Sequence, residues 1–136
     1  KKDVLIETKH PVLTAGKIER RVLEILAKRR SEIEDAGIRI TVMSFSYLAV
    51  RRLKRKYPDV AKVSKYSIPA KMSRSKTVAL NIELIQRDPK IMQKMKAEKI
   101  FVWTVNTSAG LELLKDKKID GVITDKPRFA RKKLIG

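Results

Sequence analysis

Short apolar runs alternate along the chain with segments whose apolar residues recur at helical spacing. Six of these runs are typical of β-strands, because they are short and rich in branched and aromatic side chains. The run at 60–68 is the weakest, since Lys62 and Lys65 interrupt it. We predict strands at residues 4–9, 38–45, 60–68, 77–82, 100–105 and 122–124.

The intervening segments predict helices with one apolar face. The first begins near residue 14, and its apolar stripe is Ile18, Val22, Ile25 and Leu26. Ser46 is the expected N-cap of the second, and Asp88 with the following proline predicts another helix start. Further helices are expected after residues 106–108 and over 128–136. Residues 67–76 are polar and contain a proline, so we predict a loop there.

Alternating strand and helix units predict an α/β fold, with a parallel sheet and outer helices. The spacing between strands is long enough for crossover connections. Both an open doubly wound sheet and a barrel fit this pattern. No Gly-rich phosphate fingerprint follows any strand, which disfavours a nucleotide-binding fold. We expect residues 1–136 to form a single domain.

Composition adds a strong positive charge to this picture. The 136 residues include 33 Lys and Arg, 15 Asp and Glu, one His and no Cys, giving a net charge of +18. Residues 51–76 hold ten basic residues and one acid. Such a segment suits nucleic acid, an acidic membrane or a phosphorylated substrate, and it equally suits a solvated helix face. The missing Cys and the single His exclude thiolate metal sites and any two-histidine mechanism within this chain.

Glu7 and Lys9 stand at the end of the first predicted strand. With a period of two, Leu5, Glu7 and Lys9 share one face, so that face changes from apolar to charged at the strand end. A carboxylate there suits a hard divalent cation, and an ammonium suits a phosphate oxygen. An ion pair between Glu7 and Lys9 is the structural alternative.

Trp103 and His10 are weaker candidates. Trp103 alternates with Phe101 and Val105, which fits core packing as well as the wall of a ligand pocket. His10 lies between Lys9 and Pro11, where a lone histidine is most simply a surface or capping residue.

Four segments together resemble the glycerophosphodiester phosphodiesterase family. The segment Ile6-Glu7-Thr8-Lys9-His10-Pro11 is similar to the family's central Glu-x-Lys strand, and Val42-Met43-Ser44-Phe45-Ser46 to its following strand. Val102-Trp103-Thr104-Val105-Asn106 resembles its Trp-Thr-Val-Asn strand, and residues 120–127 resemble its closing strand. The four occur in the family's order and cover residues 4–127.

The resemblance implies a (β/α)8 TIM-type barrel that hydrolyses glycerophosphodiesters to an alcohol and glycerol 3-phosphate with a divalent metal, Mg or Ca. It implies that Glu7 is a metal ligand. It also implies that Lys9 lies near the substrate phosphate and that Trp103 lines the substrate pocket. All three would lie near the carboxyl ends of strands, where barrels carry their active sites.

The chain departs from the family in lacking its first motifs. The His-Arg-Gly, Glu-x-Asp and His-Asp motifs, which carry the catalytic histidines, are absent, and His10 matches neither histidine position. Aligned in this way, the chain carries strands three to eight and lacks the first two. We therefore expect no catalytic residue in this chain, no activity by the chain alone, and a missing N-terminal segment or second chain that supplies the histidines.

Two other functions remain open at this stage. A non-catalytic basic module could bind phosphate or a polyanion such as nucleic acid, as the charge of +18 suggests. A half-barrel fragment with no function of its own is the other. No apolar run approaches the ~18 residues of a transmembrane span, and nothing in the sequence assigns a compartment.

Overall fold

The computed structural model describes residues 3–9 and 16–135. The chain forms two compact units, residues 1–63 and residues 64–136. Each unit is a parallel α/β arrangement in which neighbouring strands follow chain order. The α/β class predicted from the alternating pattern is therefore confirmed. No helix in the described ranges is long and apolar enough to cross a membrane.

In the residues that the structure describes, the first unit contains three strands and three helices. They are β1 (Asp3–Glu7), α1 (Lys17–Lys28), α2 (Arg30–Asp35), β2 (Arg39–Ser44), α3 (Tyr47–Lys54) and β3 (Val60–Ser64), whose last residue falls in the second unit. In β1–β2 pairing, Ile6 lies opposite Val42, and in β2–β3 pairing Val42 lies opposite Val60. These three side chains pack with Leu26 of α1 and with α3 residues, so this face of the sheet is the helix-covered one.

The second unit repeats this arrangement of parallel strands and outer helices. Its elements are α4 (Ser67–Met72), β4 (Thr77–Asn81), α5 (Ile82–Arg87), β5 (Lys99–Trp103), α6 (Ser108–Lys115), β6 (Gly121–Val122) and α7 (Pro127–Leu134). Leu80, Val102 and Val122 lie on one face and pack with helix residues. The residues on either side of Val102 along β5, Phe101 and Trp103, lie on the opposite face.

Two helix starts agree with the predicted caps. The Ser46 hydroxyl accepts a hydrogen bond from the Ala49 amide at 3.2 Å and begins α3. The Thr107 hydroxyl accepts one from the Gly110 amide at 3.1 Å and begins α6. The basic C-terminal segment is helical as expected, since α7 begins at Pro127.

Three local predictions were wrong. Residues 67–72 form α4 instead of a loop, and residues 82–87 form α5, which the sequence analysis did not predict. The segment after Asp88 buries Ile91 and Met95, yet it consists of successive turns and not the predicted helix. In that segment the amide of Ile91 donates to the carbonyl of Asp88, three residues back, at 2.9 Å.

Candidate active site

Glu7 is the last residue of β1 and lies opposite Met43 of β2. Its neighbour Ile6 packs into the helix-covered core, so the side chain of Glu7 lies on the other face of the sheet. Glu7 is half-buried. Within the described ranges it forms no ion pair or side-chain hydrogen bond. The carboxylate is thus positioned by the strand and left available to a ligand.

Thr8 fixes the backbone between Glu7 and Lys9. Its amide and hydroxyl both donate to the Met43 carbonyl, at 2.9 and 3.4 Å. The Ser44 hydroxyl in turn donates to the Thr8 carbonyl at 3.2 Å. Lys9, the next residue, is exposed, and among the described residues it has no ionic partner, Glu7 included.

Trp103 ends β5 and is anchored through its ring nitrogen. Its Nε1 donates to the Ala79 carbonyl of β4 at 3.0 Å, and the side chain is half-buried. The ammonium of Lys65 lies 6.0 Å from the centroid of the indole ring. This distance is at the outer limit of a cation–π contact. The indole therefore presents a fixed, partly accessible aromatic surface with a cation beside it.

Asn106 organises the loop that follows β5. Its Nδ2 donates to Asp125 Oδ2 at 2.7 Å, and its Oδ1 accepts from the Thr124 hydroxyl and the Asp125 amide, each at 2.9 Å. The sequence alone does not predict contacts between these residues. The structure brings all three together, and they hold the segments after β5 and β6 in a fixed relation.

Lys62 is a functional-group candidate that sequence reasoning missed. It lies opposite Ser44 in the β2–β3 pairing and is almost fully buried. Its ammonium donates to the carbonyls of Phe45 and Val63, both at 2.6 Å. Burial lowers the pKa of Lys62, because the charged form loses its hydration. The sequence signal is a lysine within an apolar run, which by pattern alone reads as an interruption of the strand.

The predicted residues are distributed over the two units. Glu7 and Lys9 are neighbours at the end of β1 in the first unit, whereas Trp103, Lys65 and the Asn106 cluster belong to the second. His10 lies outside the described residues.

The described residues do not form a complete metal site by themselves. In residues 3–9 and 16–135, no group of three or more His, Cys, Asp or Glu side chains is placed to hold a metal ion. Glu7 offers one carboxylate, whereas Mg²⁺ and Ca²⁺ take about six to eight oxygen ligands. The donor set of the described residues therefore does not fit a resident divalent ion without further ligands.

Comparison with known proteins resolves the identity of the fold. The glycerophosphoryl diester phosphodiesterase family model matches residues 1–129. The chain belongs to this family. Among curated proteins, no match was found.

Solved structures of this family share the fold at low sequence identity. A glycerophosphodiester phosphodiesterase from Parabacteroides distasonis is 17% identical with a TM-score of 0.67, and the match covers 98% of this chain and 56% of that one. A candidate glycerophosphodiester phosphodiesterase from Galdieria sulphuraria is 15% identical with a TM-score of 0.71, covering 97% of this chain and 57% of that one. The chain thus spans little more than half the length of either structure.

Proposed function

We propose that this chain forms strands three to eight of a (β/α)8 barrel, and that the complete barrel hydrolyses glycerophosphodiesters to an alcohol and glycerol 3-phosphate. The family match over residues 1–129 carries this proposal. It is supported by the position of Glu7 and Trp103, each the last residue of a strand and each on the face away from the helices. Active sites of barrels lie at this end of the strands.

Lys9 and Trp103 take binding roles in this proposal. The ammonium of Lys9 is exposed next to Glu7 and suits a phosphate oxygen as a charged donor. The indole of Trp103 is held by the Ala79 carbonyl and serves as an apolar wall for the glycerol moiety. Both residues orient the substrate, and neither transfers a proton.

Proton transfer needs groups that this chain does not contain. The sequence has one histidine, His10, and the resemblance places the family's two catalytic histidines in motifs that are absent here. We propose that a preceding segment or a second chain supplies those histidines as general acid and base. The 136-residue chain alone is then inactive.

Glu7 is the one metal ligand that we assign to this chain. The ion would be Mg²⁺ or Ca²⁺, and its other ligands would come from outside the described residues, since no acidic cluster exists within them. A direct readout is calcium binding by calorimetry in the complete protein. We expect Glu7→Gln to weaken it and Glu24→Gln, an exposed carboxylate on α1, to leave it unchanged.

The first experiment is to measure the intact mass of the protein under denaturing conditions. A second polypeptide, or one chain heavier than 15.6 kDa by roughly 10 kDa, is expected if the complete barrel has ~250 residues. Glycerophosphodiester hydrolysis is then measured with and without chelator. A single 15.6 kDa species that turns over the substrate would contradict the assignment of the acid and base to missing strands.

Glu7→Gln in the complete protein tests the site itself. We expect turnover to fall at least about 100-fold, because even supporting residues around a metal change activity by about 10- to 100-fold. Glu24→Gln is the matched control and should retain full turnover. Wild-type activity in Glu7→Gln would remove Glu7 from the site.

A non-catalytic basic module is the second candidate, favoured by the net charge of +18 and by the single histidine. Such a module would bind phosphate-rich polyanions with a steep salt dependence. A log–log slope of several units against salt is expected if many phosphates are contacted. A shallow slope would indicate that the basic residues form a solvated surface without a polyanion-binding role. The chain would then be a structural fragment or a domain with another function.

A further inference from the structure

Three large apolar side chains are exposed on and just before α4. Tyr66 is 67% exposed, Ile68 is 68% exposed and Met72 is 63% exposed. Ile68 and Met72 are four residues apart and therefore lie on the same side of the helix. Ala70, between them in sequence, is buried and fixes the opposite side of α4 against the core. The outward apolar side is thus set by the packing of the helix and does not result from a frayed end.

Basic residues flank these apolar side chains along the sequence, and no acid lies among residues 64–76. Residues 64–76 contain Lys65, Lys71, Arg74 and Lys76 and no Asp or Glu. Lys71, Arg74 and Lys76 are all exposed, and Lys76 pairs with Glu98 at 2.8 Å. We use the name α4 surface for Tyr66, Ile68 and Met72 together with the exposed cations Lys71 and Arg74.

We propose that the α4 surface docks onto an anionic phospholipid bilayer. Apolar side chains beside lysine and arginine are the composition of protein segments that lie in the membrane interface. Tyrosine is suited to the same zone, because its ring is apolar and its hydroxyl is polar. Lys71 and Arg74 would meet lipid phosphates while Ile68 and Met72 enter the boundary of the acyl chains.

A bilayer explains this surface better than a nucleic acid does. Binding of single-stranded nucleic acid relies on aromatic rings that stack on bases, and only Tyr66 offers one here. Ile68 and Met72 would remain in water on a phosphate backbone. In a bilayer the same two side chains leave water, which is favourable in proportion to the apolar area removed.

The α4 surface begins one residue after a contact with Trp103. Lys65 is the neighbour of Tyr66 in sequence, and its ammonium faces the ring of Trp103 at 6.0 Å. Docking at α4 would therefore bring the Trp103 end of β5 close to the lipid surface. This link to the substrate pocket rests on the proposed function, whereas docking itself rests on the surface alone.

The test is flotation of the 136-residue chain with vesicles of phosphatidylcholine, with or without phosphatidylserine. Because a charge of +18 attracts any anionic surface, the decisive variant changes apolar residues and leaves charge untouched. We expect Y66S/I68S/M72S to lower the partition coefficient for the phosphatidylserine vesicles at least about tenfold. The matched control I25S/L134S/I135S removes three other exposed apolar side chains and should bind as wild type.

Charge is tested separately by K71Q/R74Q. We expect the partition coefficient for phosphatidylserine vesicles to fall about fivefold for each cation removed. Circular dichroism confirms that every variant is folded. The proposal would be overturned if both triple variants lost vesicle binding equally, or if Y66S/I68S/M72S lost none. It would also be overturned if Y66S/I68S/M72S lost binding to single-stranded DNA to the same extent. The assay involves no turnover, so a negative result leaves the hydrolase proposal standing.

Discussion

At the scale of single residues, the chain relies on polar side chains that serve the backbone. Thr8 and Ser44 tie the ends of β1 and β2 together, and Asn106 ties the segments after β5 and β6. These bonds hold Glu7 and the loop after Trp103 in place. Residues of this kind carry no chemistry themselves, yet they determine where a reactive group can stand.

Asn106→Ala should destabilise the protein by about 1 kcal/mol, because its side-chain hydrogen bonds are only part-buried or exposed. The substitution removes one donor and one acceptor and leaves the Thr124 hydroxyl and the Asp125 amide without their partner. Urea unfolding followed by circular dichroism measures the loss. Gln93→Ala, at an exposed position, is the control and should change stability by less than about 0.5 kcal/mol. Equal effects at the two positions would show that the Asn106 bonds are replaced by water at no cost.

Lys62 should give the protein a pH-dependent stability that Lys62→Met lacks. Burial places the pKa of Lys62 in the folded state below its ordinary value of 10.5, so the unfolded chain binds more protons between those two values. The unfolding free energy of the wild type therefore rises with pH through that window, by about 1.4 kcal/mol for each unit of lowering. Below the window the cost of burying the charge is constant.

Urea unfolding from neutral pH to pH 10 measures this slope. The difference between wild type and Lys62→Met is the quantity of interest, since it cancels the titration of the other lysines. For Lys28→Met, at an exposed position on α1, the curve of unfolding free energy against pH should be parallel to that of the wild type. Parallel curves for Lys62→Met as well would mean that Lys62 is hydrated in solution.

At the scale of elements, burial could be predicted from the sequence more reliably than backbone form. Ile91 and Met95 are buried as the apolar pattern indicates, yet a stripe of this spacing also fits the successive turns that the structure has. α5 was missed because Asn81 both ends β4 and caps the helix, accepting from the Glu83 amide at 2.8 Å. No loop lies between the two elements, so the sequence shows no boundary there.

α4 and β3 are exceptions, because in both elements burial does not follow the sequence pattern. In α4 the large apolar residues Ile68 and Met72 face water, so no buried stripe marks the helix. In β3, Lys62 is buried, although a lysine in a strand normally indicates the solvent face. Tertiary contacts decide both cases, and a single sequence does not contain them. In contrast, the face of β1 on which Glu7 lies could be predicted directly from the two-residue alternation of side chains along a strand.

Arg52→Ala should weaken the contact between α1 and α3 by about 2–3 kcal/mol. Glu19 on α1 is 2% exposed, and Arg52 on α3 donates to its Oε1 through Nε at 3.0 Å and Nη2 at 2.6 Å. Removing the arginine leaves a buried carboxylate without this charged partner. Urea unfolding again measures the change. Arg21→Ala breaks the exposed Arg21–Glu24 pair and should cost under about 1 kcal/mol. If Arg52→Ala costs no more than this control, the buried pair contributes nothing specific.

At the scale of the whole molecule, the charge of +18 sets the response to salt. Most of the ion pairs among the described residues are exposed, such as Arg30–Glu34 on α2, and contribute little each. The excess of cations therefore repels itself across the surface and opposes the compact state. A protein of this kind gains stability from simple screening, without any specific ion site.

Raising NaCl from about 0.02 M to about 0.5 M should stabilise the chain, because the screening length falls from roughly 20 Å to a few ångströms. We expect the urea midpoint to rise by about 0.5 M, which corresponds to about 1 kcal/mol at a typical slope. The variant K90Q/K96Q/K118Q removes three exposed cations, lowers the net charge to 18 − 3 = +15, and should show a smaller rise. A midpoint that is flat or falls with salt would mean that specific pairs such as Arg52–Glu19 outweigh the general repulsion.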